Sequence, residues 1–104
     1  MAQLVGQWKL EKAAGHDITF PTEVQFSDEG RVSWKYGNNF FGQFTTDGHN
    51  IKLGPFASTK MFFPQNPPEH IVAQAFEQST SWVISGNTLT LSHDSEVKVV
   101  LTKV

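Results

Sequence analysis

Hydrophobic positions recur at every second residue over most of the chain. Leu4, Trp8 and Leu10 fall on one face of an opening strand, where Gly6 leaves room for close packing. Val24 and Phe26 alternate with polar neighbours up to Asp28-Glu29-Gly30, a turn sequence whose glycine accepts positive φ. Val32, Trp34 and Tyr36 alternate with Arg31, Ser33 and Lys35, the pattern of a half-buried strand. Phe40 and Phe44 share a face, with Gly42 between them and Phe41 on the other side. Asp47-Gly48 predicts a two-residue turn, and Ile51 and Leu53 predict a short strand ending at Gly54-Pro55. Thr59, Met61 and Phe63 alternate next, with Phe62 facing the opposite way and Pro64 closing the strand.

The period then changes once. Asn66 predicts an N-cap, Pro67 a first helical turn, and Glu69, three residues after Asn66, a capping box. Ile71, Val72, Ala75 and Phe76 form one apolar stripe at helical spacing, with Gln74, Glu77 and Gln78 towards water. Period two returns with Trp82 and Ile84, a Gly86-Asn87 turn, Leu89 and Leu91, an Asp94-Ser95 turn, and Val97, Val99 and Leu101. The pattern predicts a mostly β (α+β) chain: a curved antiparallel sheet or small barrel of about eight strands, with one helix inserted before the last three. The helix would plug an open end or cover an edge. With no linker or low-complexity tract, residues 1–104 read as a single domain.

Charge narrows the function classes. The formal net charge is −2, and charged residues are 17% of the chain. A nucleic-acid binder needs a dense basic face to displace counterions, so the charge argues against that class. No apolar run reaches the roughly 20 residues that span a bilayer. The chain has no cysteine, so disulfides, zinc–thiolate sites and cysteine nucleophiles are excluded. With no basic and apolar leader at Met1–Gly6, the expected location is cytoplasmic.

Several segments, in order, resemble the META domain, the family that includes the bacterial HslJ-like proteins. Leu4-Val5-Gly6-Gln7-Trp8 is similar to its Leu-x-Gly-x-Trp start, and Gly37-Asn38-Asn39-Phe40-Phe41-Gly42 to its Gly-Cys-Asn-x-Phe-x-Gly segment. Ser58-Thr59-Lys60-Met61 resembles its Ser-Thr-Arg/Lys-Met strand, and the helix and the Trp82-to-Leu91 hairpin follow in the family's order. Many members carry cysteine where this chain has Asn38 and again near Phe63. The chain resembles the stand-alone members of kinetoplastid parasites, which implies an association with virulence but no agreed catalytic residues.

The candidate chemistry is sparse. His16, His49, His70 and His93 do not pair at metal-ligand spacing, and His16-Asp17 and His93-Asp94 read as loops. Asp28, Glu29, Asp47 and Asp94 sit at predicted turns, which accounts for them without acid–base work. Gly37 and Asn38 predict a bend, with Asn39 tying loop backbone together. No nucleophile motif or phosphate loop occurs, so no cofactor, metal or catalytic residue is assigned.

The aromatic residues point further. Phe40-Phe41 and Phe62-Phe63 are adjacent pairs, so one ring of each must leave the core. If Phe41, Phe56 and Phe62 meet, rimmed by Lys60, they make an exposed apolar patch of the kind that marks a partner site. Two alternatives stand beside this: the helix covers that outer face through Ile71, Val72 and Phe76, or the barrel keeps a cavity for an acyl chain or apolar peptide. A single-strand platform from Trp34 and Tyr36 near Arg31 and Lys35 is disfavoured by the acidic balance. The sequence thus points to a monomeric, non-enzymatic binding or adaptor domain for a protein segment or an apolar (lipid) ligand, at Phe41, Phe56, Lys60 and Phe62. The alternatives are a stress- or secretion-related structural protein and, third, an enzyme.

Overall fold

A computed structural model describes residues 4–19, 21–59 and 68–104. Its strands are β1 (Gly6–Ala13), β2 (His16–Asp17), β3 (Glu23–Phe26), β4 (Arg31–Tyr36), β5 (Asn38–Asp47), β6 (Asn50–Leu53), β7 (Ala57–Ser58), β8 (Ser81–Ser85), β9 (Thr88–His93) and β10 (Glu96–Lys103). One helix, α1 (Glu69–Gln78), precedes the last three strands. The mostly β, antiparallel architecture with a late helix is therefore as the periodicity predicts.

Hydrogen bonding runs in the order β10-β9-β8-β6-β5-β4-β3-β1, and β1 pairs again with β10, so the sheet returns on itself as a ring. β2 extends β1, and β7 pairs with β5. Alternation puts Trp8, Leu10, Val24, Phe26, Val32, Trp34, Tyr36, Phe40 and Phe44 inside the ring. Two bulges change the phase. One between Leu10 and Lys12 brings Ala13 inward. The other, between Val97 and Val99, leaves Val97 exposed while Val99 and Leu101 are buried, so the three valine and leucine positions of β10 do not share a face as their spacing suggests.

Turns mostly fall where the sequence puts them. Asp94 and Ser95 both take positive φ, joining β9 to β10. The β5–β6 turn sits one residue later than predicted, at Gly48-His49, because Asp47 pairs with Asn50. His16-Asp17 is a short strand rather than a loop, paired with Lys12 and Ala13.

The helix turns its apolar face to the core within the ring and leaves His70, Gln74, Glu77 and Gln78 exposed. Val72, Ala75 and Phe76 are buried in the common core, and Phe76 stacks on Trp34 with ring centroids 4.3 Å apart. Phe40 stacks on Trp34 as well, at 5.2 Å. The indole thus stacks with a strand ring and a helix ring, and the burial of Trp34 and Tyr36 excludes them from the solvent-facing stacking platform considered above. The predicted Thr59–Phe63 strand beyond Thr59, with Asn66 and Pro67, lies outside the described residues.

Candidate functional site

The outward residues of β4 and β5 form one surface. The register places Arg31 beside Gln43, Ser33 beside Phe41 and Lys35 beside Asn39. Gln25 lies beside Ser33 on one side and Gln7 on the other, so an uncharged polar row crosses β1, β3 and β4 to reach Phe41. Phe41 is 49% exposed at the end of that row. A groove of about 430 Å³ opens on one side of it, lined by Gln7, Gln25, Ser33, Lys35, Asn39 and Phe41 among others. A second, of about 370 Å³, opens on the other side against Arg31, Gly42 and Gln43.

Phe41 and Phe56 are not brought together. Phe56 is half buried, edge-on to Trp34 at 4.9 Å and to Phe76 at 6.4 Å. Its ring occupies the space a side chain at Gly42 would need, on the inner face of β5, whereas Phe41 points outward. Alternation along β5 separates them: Gly42 lies between Phe40 and Phe44 on the inside, and the missing Cβ there admits Phe56 to the core. Phe56 is a packing residue. Lys60 and Phe62 lie outside the described residues. The helix does not cover Phe41, since Val72 and Phe76 are turned inward.

A second polar cluster is buried where α1 meets β5. Gly37, at φ 77°, turns the chain so that Asn38 starts β5 with its side chain inward and only 2% exposed. The Asn38 amide nitrogen donates to Glu69 at 2.6 Å, its backbone N–H donates to the same carboxylate at 3.3 Å, and its side-chain oxygen accepts from the Thr59 hydroxyl at 3.0 Å. The α1 N-cap position is Pro68, with no side-chain cap, so the carboxylate expected to close a capping box instead ties the helix to the sheet. Asn38, not Asn39, is the tie through its side chain; Asn39 contributes only backbone, donating to the Thr59 hydroxyl and accepting from the Thr59 N–H. Tyr36 lies beside this cluster. Burial, and secondarily the Glu69 charge, raises its phenol above the ordinary tyrosine value.

These groups are tied to one another within the fold. Glu69 has its oxygens taken up by Asn38, and Tyr36 is held as the neutral phenol. Among the described residues no three His, Asp or Glu side chains converge to hold a metal. The sequence reading missed the outward row and the two cations on either side of Phe41, because the register that assembles them crosses four strands. Their one local signal was the polar half of the alternation in β4.

A ring of antiparallel strands with a helix packed on its core, tied to β5 through a buried asparagine, defines the structural class. The chain belongs to the META domain family, whose profile it matches over residues 2–104. No curated protein matches its sequence. A protein structure solved by NMR superposes with a TM-score of 0.71 at 18% identity, over 93% of this chain and 87% of that one. That likeness is one of fold.

Proposed function

We propose that this domain is a non-enzymatic binding module that takes an extended protein segment across the outer face of β4 and β5, with Phe41 as its apolar contact. The observation that carries this reading is the exposed Phe41 ring standing between two grooves. A single exposed ring in a strand centre contributes nothing to the core, and grooves on both sides give a bound chain places for alternate side chains. The interior supports a peptide over an acyl ligand, since the space within the ring is occupied by the stacked Phe40, Trp34 and Phe76 and by Phe56. We place the module, as a monomer, in the cytoplasm, a compartment that suits a chain with no cysteine. No helix among the described residues is long and apolar enough to cross a membrane.

Selection of displayed random peptides on the wild-type domain, with Phe41→Ser as the counter-screen, tests it. The expected result is peptides that bind the wild type and lose binding to Phe41→Ser, while that variant keeps its unfolding free energy within about 0.5 kcal/mol. Peptides indifferent to Phe41, or a core-sized stability loss in Phe41→Ser, would remove the reading.

A further inference from the structure

The charges around Phe41 say more about what it takes. β4 sends Arg31, Ser33 and Lys35 to the outer surface, and Ser33 is the residue beside Phe41. Arg31 lines the groove on one side of the ring and Lys35 the groove on the other. Four residues of extended strand separate them, about 13 Å. Lys9, Lys12 and Lys98 pair with Glu11, Asp17 and Glu96, and Lys103 lies over the Trp8 ring, whereas Lys52 on β6 makes no ion pair among the described residues. Arg31 and Lys35 make no ion pair among the described residues, and Glu23 is the one carboxylate lining either groove. A chain of net charge −2 places one cation without an ion pair on each side of its exposed ring.

Building on the binding reading above, we infer that the segment is an acidic one: an extended strand with an apolar side chain that meets Phe41 and carboxylates two residues before and after it. In an extended chain, residues i, i+2 and i+4 point the same way at the same rise as β4. A carboxylate, an apolar group and a carboxylate at those positions fall opposite Lys35, Phe41 and Arg31, in either chain direction. Arg31 offers a planar fork that takes a carboxylate bidentately, and Lys35 offers a point charge. Gln43 and Asn39, beside these cations, supply amides for the peptide backbone.

An end-blocked peptide Asp-Ser-Phe-Ser-Asp, flanked by glycines, tests this against the same peptide with Asn for both Asp, by amide chemical-shift titration of the folded domain. The acidic peptide should shift the Ser33 and Phe41 amides and bind about tenfold more tightly than its amide counterpart. The gap should narrow as salt is raised. Arg31→Gln and Lys35→Gln should each cost the acidic peptide about two- to fivefold and leave the amide peptide unchanged, whereas Phe41→Ser should weaken both. Equal binding of the two peptides overturns the acidic inference and leaves the peptide-binding reading standing. Silence of the Phe41 amide towards both overturns the two together. Shifts at Arg31 and Lys35 from oligothymidylate or phosphatidylserine vesicles, with the acidic peptide ignored, overturn the inference in favour of a phosphate-bearing partner.

Discussion

Asn38 meets Glu69 and Thr59 through both ends of its amide and through its backbone N–H. Replacing it with alanine leaves a partly buried carboxylate without its closest donor, a loss of about 2–3 kcal/mol that urea denaturation would read. Asn38→Asp tests the charge. The introduced carboxylate faces that of Glu69, and like charges raise its folded pKa above the unfolded value of about 3.9. Stability is then fully present below that value and lost as pH rises through the raised one, so the deficit against wild type should widen between about pH 4 and pH 7. Tyr36 gives the alkaline counterpart. Its folded pKa lies above the ordinary 10.0, so stability is complete below that value and falls as pH rises through the folded one. Tyr36→Phe should flatten this limb in thermal melts, and since Tyr36 is the chain's one tyrosine, tyrosinate absorbance reports its titration directly. At this scale the inward positions of β3 and β4 were legible, because period two is local. The role of Asn38 was not, because its partners lie 21 and 31 positions further along the chain.

The helix and the β5–β6–β7 segment are coupled through one indole. Trp34 stacks with both Phe40 and Phe76 and meets Phe56 edge-on. Phe76→Ala should therefore cost about 3–5 kcal/mol by emptying the space between helix and sheet. Gly42 is the matching constraint on the strand side. A Cβ there would collide with the Phe56 ring and lie 2.9 Å from the Pro55 carbonyl oxygen. Gly42→Ala should destabilise by about 1–3 kcal/mol, and Phe56→Leu in the same chain should recover part of that, with the backbone contact to Pro55 keeping the recovery incomplete. A thermal-melt double-mutant cycle measures it. The apolar stripe of α1 was readable from its spacing, and so was Phe41 as the outward member of its pair. What spacing does not give is which surface the stripe docks on. Phe56 shows why: in a loop beside proline it reads as exposed, and only the Cβ-less gap at Gly42 makes it a core ring.

Closure of the ring distributes stability unevenly over the molecule. β1 and β10 pair from Trp8 with Lys103 to Ala13 with Val99, and β9 and β10 from Thr102 with Thr88 to Glu96 with His93. β6 and β8 share a single position, Asn50 with Ser81, supported by the Ile51 N–H to the Thr80 carbonyl and the Trp82 N–H to the His49 carbonyl, each 2.9 Å. β8 then runs on past the Gly48-His49 turn, so the ladder cannot lengthen. Across this short seam the chain has just left the helix, where Ser79 closes α1 through its hydroxyl to Ala75 and its N–H to Phe76. Opening the seam costs two strand hydrogen bonds, whereas opening β9–β10 costs a whole ladder and exposes Leu89, Leu91 and Leu101. The Ile51 and Trp82 amides should thus exchange with solvent deuterium at least about tenfold faster than those of Leu89 and Leu101, in native conditions where only sub-global opening contributes. Equal protection at all four would mean that seam and ladder open together, with α1 joining them into one cooperative unit. In that case Phe76→Ala, by loosening the helix, should selectively speed exchange at Ile51 and Trp82.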